Sequence, residues 1–142
     1  MAVTLALGLS LKEGEIIHYN SQAALFGQSV REMRRLLTLY GYGEGNLDFA
    51  AGDLYVTVFG GRTRKIGSLL GLGHNLKYAL KELSGTTLES VVIAERTSKA
   101  ILTYIEQGKA SKKDFPLLLH IYDIIAKDAP VEIPWKDFSQ TL

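Results

Sequence analysis

Leu47-Asp48-Phe49-Ala50-Ala51-Gly52-Asp53-Leu54-Tyr55-Val56-Thr57-Val58-Phe59 is the stretch on which the fold class turns. Its second half, Tyr55 to Phe59, is made of β-branched and aromatic residues, the composition that favours a strand. A strand needs neighbours, and no partner strand is evident nearby in the sequence. The segment is therefore expected to be helical, and with it the chain all-α.

Upstream, Val3 to Leu11 reads as an apolar, buried helix closed by the polar stretch from Lys12 to Gly14. It lacks a basic leader and meets Lys12 and Glu13 well short of a membrane span, so neither a signal peptide nor a transmembrane helix is expected. Asn20-Ser21-Gln22 offers an N-cap for a long helix, Ala23 to Tyr40. Its Leu25, Val30, Met33, Leu36, Leu37 and Tyr40 fall on one stripe at helical spacing, with Arg31, Arg34 and Arg35 mostly off it. Leu25, Met33, Leu36 and Leu37 are thus expected to be mostly buried. Gly41 to Gly45 stops that helix.

Downstream, Gly60-Gly61 breaks the pattern, and Arg62 to Leu70 forms an amphipathic segment ending at Gly71-Leu72-Gly73, read as punctuation. Asn75 to Leu83 is a short helix whose Leu76, Leu80 and Leu83 share a face, ended by Ser84-Gly85. A long helix within Leu88 to Glu106 stops at Gln107-Gly108. Asp114 is expected to cap a further helix, with Pro116 in its first turn, running to about Lys127. Pro130 and Pro134 bracket a terminal piece from which Trp135 and Phe138 pack back. No repeat, low-complexity run or linker divides the chain, so residues 1–142 are expected to form one domain of about seven helices.

The 142 residues are 46% hydrophobic and 22% charged, with a formal net charge of +1. No global field draws nucleic acid or anionic membrane. Cysteine is absent, which fits a cytoplasmic protein and removes thiolate chemistry. His18, His74 and His120 have no metal-ligand spacing. Neither a dinucleotide-binding G-x-G-x-x-G after a strand nor a phosphate-binding G-x-x-x-x-G-K-[ST] occurs, and no Ser–His–Asp set can be assembled. A self-contained enzyme is not expected.

One region has chemical content. Asp53 sits in an apolar surround, and Thr57 follows one helical turn later. Gly60-Gly61 then lets backbone approach a ligand, at the start of a helix carrying Arg62, Arg64 and Lys65. Free N–H groups at a helix N-terminus beside arginine suit an anion, phosphate above all. Plainer readings exist for each residue. Arg62 to Lys65 can be a solvated face, Asp53 a helix-end ligand, and Thr57 a hydroxyl bonded to its own helix backbone.

The order of motifs resembles the C-terminal domain of NAD(P)-dependent glycerol-3-phosphate dehydrogenases. Asn20-Ser21-Gln22-Ala23-Ala24 and Glu32-Met33 match that family's first motifs. Ala51-Gly52-Asp53-Leu54, Thr57, Gly60-Gly61-Arg62 and Leu70-Gly71-Leu72-Gly73 match the next. Asp114-Phe115-Pro116-Leu117 with Ile121-Tyr122 is similar to its penultimate helix. The resemblance covers essentially the whole chain and implies a multi-helix, all-α fold like the C-terminal domains of 6-phosphogluconate and glycerol-3-phosphate dehydrogenases.

It further implies that Asp53 is catalytic, positioning a lysine and the substrate. Thr57, Gly61, Arg62 and Thr63 are implied as substrate-binding, with Arg62 clamping the phosphate and Arg62 and Thr63 also reaching the cofactor. That cofactor is NAD or NADP, held mainly by a nucleotide-binding domain ahead of Met1. The catalytic lysine is expected at or just before Met1, since no lysine precedes Lys12. The expected partners are glycerol 3-phosphate or dihydroxyacetone phosphate, the nucleotide-binding domain and a second copy of the chain. Alone, the chain is expected to be inactive. Two departures stand out: Thr63 replaces the family's asparagine, and Ile93-Ala94 occupies the place of a polar residue that reaches the dinucleotide, with Glu89 as the available substitute. They leave two alternatives, a non-catalytic phosphate-binding or dimerisation module of the same fold, and the second domain of a related hydroxyacid dehydrogenase. The Gly60-Gly61-Arg62 turn argues against the latter, because a carboxylate substrate does not require a phosphate cradle.

Overall fold

In the computed structural model, which describes residues 1–12, 19–83 and 89–138, the Leu47–Phe59 stretch lies within one helix, α3 (Gly45–Phe59). Leu47, Ala51, Leu54 and Val58 recur at helical spacing and turn inward, Leu47 fully and the others partly. Val58 packs against the cluster formed by Val3, Ala6, Leu25 and Leu117. Burial of that face outweighs the local strand preference of Tyr55 to Phe59.

Around α3 the chain runs through α1 (Ala2–Lys12), α2 (Tyr19–Leu39), α4 (Gly61–Gly71), α5 (Leu76–Glu82), α6 (Glu89–Glu106) and α7 (Pro116–Lys127). Two 3-10 turns, Lys112–Asp114 and Trp135–Asp137, flank α7. Among the described residues there is no strand, and the fold is all-α. No described helix is long and apolar enough to cross a membrane. The expected helix stops at Gly14 and at Ser84-Gly85, the first residue of the expected Leu88–Glu106 helix, and His18 lie outside the described residues.

The core is built on the crossing of α1 with α4. A Cβ added at Gly8 would lie 2.7 Å from the Cα of Gly71, and one at Gly71 would lie 2.8 Å from the Cα of Gly8. At Gly67 an added Cβ would collide with the Thr4 side chain and come within 2.6 Å of the Met1 carbonyl. Thr4 and Gly8 on one helix, Gly67 and Gly71 on the other, are each four apart, so small residues line both sides of the contact. Gly71 therefore corrects its reading as punctuation. It is buried inside α4, and the backbones meet where a methyl group would separate them. Around this crossing Leu5, Ile66, Leu70, Ala79, Val91, Ile121 and Ile124 form the main cluster. Leu76, Leu80 and Leu83 pack on it from α5 as their spacing requires. At the far end Phe138 packs back on the Leu25 cluster, while Trp135 lies edge-on to Phe138 and stays exposed.

Two expectations about α2 and α7 are revised. Asn20 lies within α2, so it lacks the extended backbone of an N-cap. The expected stripe is mostly buried, Leu25 fully and Met33, Leu36 and Leu37 in larger part, and Gln28 and Glu32 are buried with it. Met33 and Leu36 border a hollow of about 160 Å³ with Ala2, Leu117, Leu118 and Ile121 instead of a packed neighbour. Finally, Asp114 does not cap α7. Its carboxylate accepts the Ser111 N–H within the 3-10 turn and pairs with Arg35 at 3.3 Å. The N–H groups of Leu117 and Leu118 are instead taken up by the two Glu32 oxygens, each at 2.8 Å.

Candidate functional site

The turn between α3 and α4 is made of two glycines with different tasks. Gly60 is extended (φ −153°, ψ 179°) and supplies no capping side chain to α4. Gly61 has φ +81°, a conformation that strains any residue with a Cβ. The first-turn N–H groups of α4 are thus left without a side-chain cap, and the first turn contains no acidic residue. Arg62, Arg64 and Lys65 surround this helix end, all exposed. A helix N-terminus with uncapped donors, adjacent cations and no competing carboxylate favours an anion.

Asp53 and Arg62 are both exposed, on α3 and on the first turn of α4. Thr57 is half-buried, and its hydroxyl donates to the Asp53 carbonyl at 2.8 Å. That bond uses the proton of Thr57 on its own helix, leaving lone pairs as its free capacity. Thr63 is half-buried too, and its hydroxyl donates to the hydroxyl of Ser90, in the first turn of α6, at 3.0 Å. Arg64 Nη1 donates to the Phe59 carbonyl at 2.7 Å, tying the end of α3 to the start of α4.

Beside the turn is an open hollow of about 590 Å³, whose wall includes Gly60, Gly61, Arg64, Lys65, Ser68 and Glu82. Of the five residues singled out from the sequence, only Gly61 lines it; Asp53, Thr57, Arg62 and Thr63 do not. Asp53 and Thr57 lie on α3, whose outer side leaves Phe49, Tyr55, Val56 and Phe59 81%, 59%, 69% and 61% exposed. An apolar face of this kind, with a carboxylate inside it, is unusual for a surface left in water.

Residues 2–136 match the family described as NAD-dependent glycerol-3-phosphate dehydrogenase C-terminus. The chain belongs to that family. No curated protein and no solved structure matches it significantly. Membership makes this a dehydrogenase domain of an NAD-dependent family and accounts for the all-α fold. A nicotinamide cofactor and a substrate related to glycerol 3-phosphate follow for the family.

Within this glycerol-3-phosphate dehydrogenase domain, sequence reasoning passed over three residues. Glu32 was noted only as part of a motif, and its structural task, receiving α7, depends on a partner 85 residues away. Burial pushes its carboxyl above the usual range, opposed by hydrogen bonds from Gln28, Leu117 and Leu118 and by the Arg35 charge. Arg64 was counted in the cationic run, but the carbonyl it holds could not be read there. Ser90 carried no signal at all. A larger hollow, about 970 Å³, lies elsewhere, lined by Arg35, Lys112, Lys113, His120 and Lys136 among others, and shares no residue with the Gly60-Gly61 wall. No group of three or more metal-ligating side chains gathers among the described residues.

Proposed function

We propose that this domain is the substrate-binding half of an NAD(P)-dependent glycerol-3-phosphate dehydrogenase and works against a nucleotide-binding domain docked on the outer face of α3. The observation that carries the reading is the uncapped, acid-free start of α4 beside exposed Arg62, next to an apolar helix face that holds Asp53. Arg62 takes the substrate phosphate, supplementing the N–H groups of the helix start with a planar fork. Asp53 orients a lysine contributed from upstream and, through it, the C2 hydroxyl. Gly61 gives backbone access, and Thr57 accepts from the substrate through its free lone pairs.

Oxidation removes a hydride from C2 and the proton of its hydroxyl, leaving dihydroxyacetone phosphate. NAD(P), when bound, accepts the hydride. The lysine accepts the proton, and donates it in the reverse direction. The residues of this domain fit the phosphate better than they fit the dinucleotide. Thr63 gives its proton to Ser90, so toward the cofactor it offers only lone pairs and Arg62 is the donor. Exclusion of water is the other contribution of the α3 face, since the docked domain would cover its exposed aromatic rings.

The test is the reaction itself. The chain alone is expected not to oxidise glycerol 3-phosphate with NAD or NADP, and to gain turnover only when joined to a nucleotide-binding domain carrying the lysine. Robust turnover by the isolated chain, free of host enzyme, would overturn this division of labour. A dimerisation module of the same fold is the second reading, favoured by the same exposed Phe49 and Val56.

A further inference from the structure

Buried Ile66 and Gly67 fix the body of α4, but its first turn, which carries Arg62, has no side-chain cap. Two side-chain bonds flank it, and they act differently. The Arg64 bond to the Phe59 carbonyl spans five residues, so it closes the turn on itself and moves with it. The Thr63 bond to Ser90 spans 27 residues and reaches another element. Ser90 precedes Val91, which is buried in the same cluster as Ile66 and Leu70 of α4. The start of α6 is therefore anchored to the core, and Thr63 is tied to that anchor directly beside Arg62.

We propose that Ser90 is a positioning residue for the anion held at the start of α4: its hydrogen bond to Thr63 sets the direction in which Arg62 and the neighbouring N–H groups point. The proposal rests on the reading of Arg62 as a phosphate ligand. A threonine hydroxyl is short and has one proton to give, so at residue 63 it serves the neighbouring helix and leaves the ligand to Arg62. Anion recognition by a guanidinium and backbone donors depends on direction, and a first helical turn free to fray loses part of it.

Inorganic phosphate titrated into the 142-residue chain, followed at the backbone amides of Gly61 and Arg62 by NMR, tests this. Arg62→Ala is expected to remove the phosphate-dependent shifts. Ser90→Ala and Thr63→Val are each expected to weaken phosphate about threefold to tenfold, the range of one neutral hydrogen bond. Ser90→Thr should restore binding, and the double variant Ser90→Ala with Thr63→Val should be no weaker than either alone. Helical circular dichroism and melting midpoint should stay near those of the parent chain. Unchanged affinity in Ser90→Ala and Thr63→Val, with binding still abolished by Arg62→Ala, overturns the positioning role alone. An affinity loss matched by loss of helix overturns it as well. No phosphate-dependent shift in the parent chain, or binding unaffected by Arg62→Ala, overturns the reading of Arg62 and this proposal with it.

Discussion

Glu32 on α2 accepts the backbone N–H of Leu117 at 2.8 Å, although the two are 85 residues apart in sequence. Its second oxygen accepts the N–H of Leu118 at 2.8 Å. Pro116, at the start of α7, has no N–H to satisfy, and Phe115 ahead of it has no capping side chain. The cap is therefore supplied from another helix, and a negative group sits where the α7 dipole favours one. Gln28 donates to the same carboxylate at 2.7 Å and Arg31 donates to Gln28 at 3.1 Å, so a polar chain runs along an otherwise apolar contact.

Removing that carboxylate should be costly. In Glu32→Ala the Leu117 and Leu118 donors and the Gln28 amide lose their shared acceptor in a buried place. Each unsatisfied buried group costs roughly 1–3 kcal/mol, and a total loss of about 3 kcal/mol is expected from urea unfolding. Glu32→Gln should lose less, because one oxygen still accepts while the amide nitrogen faces a donor. Equal stability of Glu32→Ala and the parent chain would show that water replaces the cap.

The α1–α4 crossing yields a sharper stability prediction. Gly71→Ala would place its methyl carbon within 2.8 Å of the Gly8 Cα and 2.9 Å of the Leu9 nitrogen, both backbone atoms that cannot swing aside. Overpacking of that kind costs on the order of 3 kcal/mol. Gly52→Ala, where an added Cβ meets nothing within 4 Å, should instead hold or raise the melting midpoint, since alanine is the better helix former. The same change in midpoint for both variants would show that the crossing relaxes.

Those two contacts mark the limit of what could be read in advance. Spacing and breakers located the helices well, because helical period and Gly or Pro punctuation are local properties. The α3 assignment succeeded for a topological reason: a lone strand has no partner for its backbone. Gly71 was misread because closeness to Gly8 is a property of two helices, and a glycine near a helix end looks the same either way. Asp114 was the nearest capping residue ahead of Pro116, and nothing local announces a competitor on α2. At the candidate site, residue types and order put Asp53, Gly61 and Arg62 forward as candidates. The engagement of Thr63 by Ser90 was out of reach, because one serine on the next long helix has no pattern to distinguish it.

His120 gives the pH prediction. Its Nε2 accepts the Glu132 N–H at 3.2 Å. Burial lowers its pKa from the ordinary imidazole value, against the opposing charges of Asp123 and Glu132. The folded state thus binds the proton more weakly than the unfolded chain. The stability it contributes is present above the unfolded pKa, near 6.5, and is lost as pH falls through the lower folded value. Urea midpoints are expected to drop between pH 7.5 and pH 5 in the parent chain, and less in His120→Gln, which keeps an acceptor but does not titrate. Parallel curves would assign the loss to other groups.

In an enzyme restored with its nucleotide-binding domain, Asp53 and Arg62 should fail differently. Arg62→Ala removes a ligand of the non-reacting phosphate, so KM should rise about tenfold to a hundredfold, in line with losing a charge-assisted hydrogen bond. Asp53→Ala disturbs the base, so kcat should fall by a larger factor than KM changes. Steady-state kinetics with glycerol 3-phosphate separate the two. An unchanged KM for Arg62→Ala would leave Arg62 as part of a solvated face.

Self-association is the final prediction, and its cause lies on α3. On α1, among the described residues, only Leu11 is a large hydrophobic that stays exposed, whereas α3 exposes Phe49, Tyr55, Val56 and Phe59. Phe49, Val56 and Phe59 lie within a few helical turns on one side, and the Tyr55 and Phe59 rings meet edge-on at 4.9 Å. Left in water, such a face favours association with a like face. Sedimentation velocity of the chain should therefore show mass rising with concentration. Val56→Asp, central on that face and away from the core, should shift the chain toward monomer without lowering its melting midpoint by more than about 0.5 kcal/mol equivalent. Leu11→Asp should not. If the face is the docking surface for the nucleotide-binding domain, adding that domain should suppress self-association in the parent chain, because the two occupants compete for the same residues. Monomer at every concentration, or association that Val56→Asp leaves intact, would remove the α3 face as the cause.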